Sequence, residues 1–257
     1  MQADFEQKVV VISGAGNGMG LALTKRLLGF NAYVAAMDLD TSALQALQQD
    51  YPDQLLALQV DVGNFNAVKQ AVEQSVQKFG RIHKLICGAG RLQMGTVTEL
   101  SPEQWASTFA TNTTGVFNLC HLVAPHLIKE TQSAIVAISS NAATTPRAGM
   151  SAYAASKAAV TQFTRCLALE LAEHGVRVNI VSPGSTDTAM QQAMWQQGSS
   201  RETVIAGNLD QYRLGIPLRK IATADEIADA VLFLLSEQAS HITLHDLRID
   251  GGATLDQ

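Results

Sequence analysis

The sequence predicts an α/β fold: a doubly wound parallel sheet of seven strands with helices on both faces. Three observations predict it. Short apolar runs alternate along the chain with longer segments of helical periodicity. The first six runs are continuous rather than alternating in polarity, as in strands covered on both faces. A glycine-rich turn directly follows the first run and opens the first helical segment.

Val9-Val10-Val11-Ile12 is the first strand, and 33–37, 55–60, 84–87, 134–138 and 177–181 follow, with a seventh at 247–250. Helical patterns separate them at 18–28, 42–49, 64–79, 101–129, 151–174 and 224–236. Ser101-Pro102-Glu103-Gln104 marks a helix start, with serine as N-cap and proline at the first helical position. Residues 187–218 are less regular and rich in Gln and Met, which suits a lid or substrate-pocket segment. With no internal repeat, low-complexity tract or linker, residues 1–257 read as one dinucleotide-binding catalytic domain.

Composition narrows the function class. The chain is 47% hydrophobic and 16% charged, ordinary globular values, and its net charge of -5 argues against a nucleic-acid partner. No apolar run reaches the roughly 18 residues of a membrane span, and the acidic N-terminus lacks a signal-type stretch. The expectation is a soluble, cytoplasmic protein without a membrane partner. Cys87, Cys120 and Cys166 are far apart in apolar surroundings and read as buried small hydrophobes. No metal is expected: His121 and His126 lie five apart, and His241 and His245 lack a third ligand.

The turn is Ser13-Gly14-Ala15-Gly16-Asn17-Gly18-Met19-Gly20. Its glycines permit a tight bend and let backbone N–H groups approach a pyrophosphate at a helix N-terminus, the logic of a Rossmann dinucleotide site. Asp38 ends the second strand 20 residues beyond Gly18, where a carboxylate can bind the adenosine ribose hydroxyls. It would repel a 2′-phosphate, and Asn17, Met37, Leu39 and Asp40 bring no compensating cation, so NAD is the expected cofactor rather than NADP.

Ser140, Tyr153 and Lys157 form the pattern Ser, 12 residues, Tyr-x-x-x-Lys. Tyr153 and Lys157 share a helix face, and an ammonium near a phenol lowers its proton affinity toward general-base duty. Ser140, at the end of the fifth strand, is placed to orient the reacting oxygen. An isolated Tyr-x-x-x-Lys is an ordinary exposed helix pair; the order of glycine turn, serine and tyrosine makes it a catalytic candidate.

Over essentially its whole length the chain resembles the short-chain dehydrogenase/reductase family. The matching pieces are Gly14-x-x-x-Gly18-x-Gly20, Asp61-Val62, Cys87-Gly88-Ala89-Gly90, Asn112, Ser140, Tyr153, Lys157 and Pro183-Gly184. The resemblance implies that Asp61 and Val62 flank the adenine. It also implies that Gly88, Ala89 and Gly90 lie along the cofactor. Asn112 would hold a water linking Lys157 to solvent, and Pro183, Gly184, Thr186 and Thr188 would contact the nicotinamide and phosphates. Cys87 departs from the family's usual Asn, which steadies a neighbouring strand.

Longer segments resemble the members of that family that oxidise a cyclic dihydrodiol carboxylate, 2,3-dihydro-2,3-dihydroxybenzoate, to a siderophore catechol. These are Thr145 through Tyr153, Ser182 through Thr188 with Met190 and Trp195 following, and Leu214 through Leu218 with Ala239 through Leu244. A carboxylated substrate needs a cation. Arg147 is the candidate, against the competing reading of a solvated loop arginine, and Arg91 is second. Met150, Met190, Met194 and Trp195 can supply apolar faces for a flat ring. The alternatives are a 3-oxoacyl-carrier-protein ketoreductase of the same family and a non-catalytic cofactor-sensing regulator. The apolar helical segments after Trp105 and Ala154, with the family resemblance, imply a homotetramer.

Overall fold

A computed structural model describes residues 2–195 and 200–255, apart from the side chains of 193–195. Seven strands, β1 (Val9–Ser13), β2 (Tyr33–Asp38), β3 (Leu55–Gln59), β4 (Lys84–Cys87), β5 (Ala134–Ile138), β6 (Arg177–Pro183) and β7 (Asp246–Ile249), form one sheet. Its order is β3-β2-β1-β4-β5-β6-β7, and every pairing is parallel. The order reverses between β1 and β4, and in such sheets the crevice beyond the strand C-termini at that reversal is where a ligand binds.

The continuous apolar runs have a direct structural reason. Side chains alternate across a strand, so Val11, Ala35, Met37, Ile135 and Ala137 face one layer while Val10, Ile12, Val34, Ala36, Val136 and Ile138 face the other. The first layer is covered by α3 (Phe65–Phe79), α5 (Gly115–Leu127) and α6 (Ser151–Ala172), the second by α1 (Gly18–Gly29) and α9 (Ala224–Leu235). With α2 (Ser42–Asp50) beside β3, both faces must be apolar and no strand can alternate.

Two buried cations in these strands have a structural cause. Lys84 donates from Nζ to the carbonyl of Leu235 at 2.8 Å, and Arg177 donates to those of Leu234 and Ser236 at 2.6 and 3.0 Å. They satisfy the unpaired carbonyls at the C-terminus of α9, the end that favours positive charge.

Three expectations change. The helix expected over 101–129 is α4 (Pro102–Phe109), a π-turn at Ala110–Thr114, and α5. Its start is as predicted: Ser101 Oγ accepts from the Gln104 backbone N–H, completing a reciprocal cap. The π-turn shifts the phase where the helix meets the loop after β3. A Cβ on Gly115 would lie 2.5 Å from Val62 Cγ2, and Asn118 donates to the Val62 carbonyl at 2.9 Å. Such turns concentrate at functional sites, and this one holds Asn112. Second, the irregular stretch 187–218 contains two short helices, α7 (Ala189–Trp195) and α8 (Arg201–Ala206), the latter capped by Ser200. Third, Cys87 and Cys120 are buried with their sulfurs 4.0 Å apart, but Cys166 is exposed on α6. No helix among the described residues is long and apolar enough to cross a membrane.

Candidate active site

The turn between β1 and α1 has no room for side chains at its key positions. A Cβ on Gly20 would lie 1.8 Å from the Gly14 carbonyl oxygen, and one on Gly14 would lie 2.7 Å from the Ala89 nitrogen. Gly14 also sits at φ 69° and Gly18 at 48°, the left-handed region that glycine occupies without strain. Asn17 is the N-cap of α1 without a side-chain cap bond, so the first turn leaves N–H groups for an anion. Asp38 is fixed by the same turn: its Oδ2 accepts from the Gly16 N–H at 2.8 Å and its Oδ1 from Asp40 at 3.1 Å. Ser13 Oγ accepts from the N–H groups of Gly88 and Ala89, tying the ends of β1 and β4 together. Thr188 faces Gly18 across the crevice, 3.0 Å from a Cβ built there, and Thr186 Oγ1 donates to the Gly184 carbonyl at 3.2 Å. Gly184 follows Pro183 and packs on Asp250, leaving no space for a Cβ. Asp61 Oδ1 accepts from Gly63 and holds the loop in which Val62 packs on Gly115.

Ser140, Tyr153 and Lys157, the trio expected to be catalytic, lie together. The Ser140 hydroxyl hydrogen-bonds the Tyr153 phenol and also accepts from the Ala142 N–H at 3.1 Å. Lys157 Nζ lies 5.8 Å from the Tyr153 ring centroid. Two details differ from the sequence reading. Lys157 donates to the Ile138 carbonyl at 2.7 Å, and burial lowers its pKa to about 8. The phenol of Tyr153 is pushed up rather than down, because burial outweighs the pull of the Ser140 hydrogen bond and the Arg147 charge. Asn112 is fully buried and its amide is engaged: Oδ1 accepts from the Arg91 N–H at 2.7 Å, and Nδ2 donates to the Arg91 carbonyl and Ser156 Oγ, each at 2.9 Å. It pins the Gly88–Arg91 turn to α6. A Cβ on Gly90 would lie 3.5 Å from Lys157 Nζ, so that turn also lies against the lysine.

Beside the trio is a cavity of about 150 Å³, a volume that holds a six-membered ring. Ser140, Tyr153, Lys157, Arg147, Met150 and Met190 all line it. Arg91 is not in its lining and is exposed, so it drops out as the second carboxylate candidate. The Met194 and Trp195 side chains lie outside the described residues.

The family model for short chain dehydrogenases matches residues 8–199. The chain belongs to the short-chain dehydrogenase/reductase family. It is 45% identical over 251 residues to the vibriobactin-specific 2,3-dihydro-2,3-dihydroxybenzoate dehydrogenase of Vibrio cholerae, covering 96% of both chains. It is 43% identical over 254 residues to the 2,3-dihydro-2,3-dihydroxybenzoate dehydrogenase of Bacillus subtilis, covering 98% of this chain and 97% of the other. Among solved structures, a short-chain dehydrogenase/reductase (glucose/ribitol dehydrogenase) from Brucella melitensis superposes with a TM-score of 0.89 at 29% identity. That match covers 98% of this chain and 99% of the other.

Short-chain dehydrogenases use nicotinamide cofactors, and the residues here fit one. Glycines that admit no Cβ, free N–H groups on α1 and the fixed Asp38 carboxylate form a cradle for a dinucleotide. The sequence reading missed Arg213, whose guanidinium also reaches the cavity, together with Leu92 and Val204. Arg213 is one of two basic residues in 187–218, and the other, Arg201, lies 3.7 Å from Asp187. Nothing in the local sequence marks Arg213, which has Asp210 three residues before it.

Proposed function

We propose that this short-chain dehydrogenase oxidises 2,3-dihydro-2,3-dihydroxybenzoate to 2,3-dihydroxybenzoate with NAD, residues 1–257 acting as one catalytic domain. The observation that carries the reading is that the Tyr153 phenol and the Arg147 guanidinium share one ring-sized cavity above the glycine turn. The family's usual alcohol chemistry needs the first. The second is the group that a carboxylated ring requires and that a neutral alcohol does not.

Bound nicotinamide supplies the hydride acceptor and, when oxidised, a positive charge. Tyr153 takes the proton from a ring hydroxyl, at C3 in this reading, as hydride leaves the same carbon. The carbon–oxygen single bond becomes a ketone, which loses a ring proton and tautomerises to the aromatic catechol. Ser140 holds the reacting oxygen, and Lys157 steadies the site from behind the phenol. Because burial raises the phenol's proton affinity, the positive charge that an oxidised nicotinamide would supply would favour its ionisation. Asp38 supports NAD over NADP: its acceptor-only carboxylate meets ribose hydroxyls and repels a 2′-phosphate. Met150 and Met190 would flank the ring, and Thr186 and Thr188 would help hold the cofactor.

The reading includes a homotetramer, supported by exposed Trp105, Phe117 and Leu169 on α4, α5 and α6. The ketoreductase alternative is less well supported, since a cavity with a half-buried arginine beside the phenol is poorly matched to an uncharged acyl chain. Purified protein supplied with the dihydrodiol and NAD is expected to form NADH and fluorescent 2,3-dihydroxybenzoate one for one, with NADP far less effective. NADPH-dependent reduction of a 3-oxoacyl chain, without dihydrodiol turnover, would reverse the assignment.

A further inference from the structure

We propose that Arg213 is the second arm of a two-guanidinium clamp, closing with Arg147 on the substrate carboxylate and selecting carboxylated cyclic diols over neutral ones. The inference rests on the functional reading above and deepens it. Both side chains line the cavity that holds Tyr153 and Ser140, one from the loop before α6 and the other from the connection between α8 and α9.

The connection is built to present residue 213. Asn208 and Arg213 exchange both backbone hydrogen bonds at 2.9 Å, closing a short antiparallel loop. Its legs cross so closely that a Cβ on Gly207 would lie 2.6 Å from the Arg213 carbonyl oxygen, and one on Gly215 would lie 2.6 Å from that of Ile205. The Ile216 N–H donates to that Ile205 carbonyl at 2.9 Å. At the tip Tyr212 adopts a left-handed φ of 55° and is 96% exposed, while the next side chain, Arg213, turns into the cavity. A non-glycine residue held there costs roughly 1 kcal/mol or more, so the surrounding bonds must impose it. The Arg213 guanidinium rests 3.9 Å from Met150 Sδ, a neutral contact.

Charge supplies the second line of argument. None of the ion pairs among the described residues includes Arg147 or Arg213. Asp250 favours the charge on Arg147, but Arg213 opposes it, and both arginines are weakened by burial. Two half-buried guanidiniums that repel each other across a cavity lined by methionines, Leu92, Ile138 and Val204 form a site with an anion to gain. One carboxylate can accept from both forks. A diol without it leaves both cations desolvated and unmatched, the kind of arrangement that rejects an analogue lacking the bonded group.

The test compares wild type with Arg213→Met and Arg213→Lys, using 2,3-dihydro-2,3-dihydroxybenzoate and the same cyclohexadiene diol lacking the carboxylate. Arg213→Met is expected to raise KM for the carboxylated diol roughly 10- to 100-fold with kcat little changed. It should lower KM for the neutral diol, which no longer strands that cation, and Arg213→Lys should recover much of the loss on the carboxylated one. Fluorescence titration with 2,3-dihydroxybenzoate and with catechol reads the same difference without turnover. An unchanged KM, or equal losses on both diols and both products, would overturn the clamp. Wild type that fails to oxidise the dihydrodiol would overturn the functional reading instead, and the titration would still decide the anion site.

Discussion

The two halves of the cleft are made of different material. On the cofactor side the walls are main chain: a turn in which Gly14 and Gly20 admit no Cβ, and a carboxylate, Asp38, held by two backbone N–H groups. On the proposed substrate side the walls are side chains from loops and short helices, among them Arg147, Met150, Met190 and Arg213. Ser140, Tyr153 and Lys157 form the seam between them. A main-chain wall cannot accept an added atom and so fixes one ligand; a side-chain wall can be rewritten without disturbing the sheet. One fold can thereby keep its cofactor and change its substrate.

The seam should give the largest effect. Tyr153→Phe removes the proton acceptor and is expected to lower kcat by roughly 10³-fold or more while calorimetry shows cofactor binding retained. Because the phenol is pushed up and must ionise, wild-type kcat/KM should climb from neutral into alkaline pH. A variant that kept a tenth of the activity would mean that the two halves meet elsewhere. Next, the walls themselves can be contrasted. Gly20→Ala drives a Cβ to within 1.8 Å of the Gly14 oxygen and should destabilise the protein by about 3 kcal/mol in denaturant melts. Met190→Ala, at a side chain 40% exposed, should cost less than about 1 kcal/mol. Similar losses for both would erase the distinction.

A separate effect lies away from the cleft, at the start of β4. His83 Nδ1 accepts from the Val9 N–H at 2.9 Å, and its pKa is held down to about 4 by burial and by the charges of Lys8, Arg81 and Lys84. The unfolded chain therefore binds the extra proton first. The imidazole's contribution is fully present above pH 6.5 and is lost as pH falls toward 4, roughly 3 kcal/mol in all. His83→Asn, which keeps an acceptor without titrating, should flatten that part of the stability curve; an unchanged curve would assign the acid sensitivity to other groups.

The same division explains what could be read from the chain. The sheet was legible because parallel strands covered on both faces are apolar along their length, as Val9-Val10-Val11-Ile12 and Ala134–Ile138 are. The cofactor wall was legible because steric exclusion leaves glycine at fixed spacing, and the trio because chemistry restricts residue type. The break at Ala110–Thr114 was not, since a π-turn keeps helical composition and depends on how closely Gly115 approaches Val62. The Tyr153 shift was hidden as well: helical spacing brings Lys157 near, but burial, set against the Ser140 hydrogen bond and the Arg147 charge, decides which way the phenol moves. Arg213 escaped because its direction is set by the Asn208–Arg213 exchange and the left-handed Tyr212, neither of which marks the sequence.

The most direct test of a main-chain cofactor wall facing a side-chain substrate wall is a crystal structure with NAD and 2,3-dihydroxybenzoate bound together. The account predicts the pyrophosphate on the Gly14–Gly20 turn, the Tyr153 hydroxyl within hydrogen-bond distance of a ring oxygen, and the carboxylate on Arg147. A ring bound with its carboxylate turned away from the arginines, or with the Tyr153 hydroxyl out of reach of either ring oxygen, would contradict it.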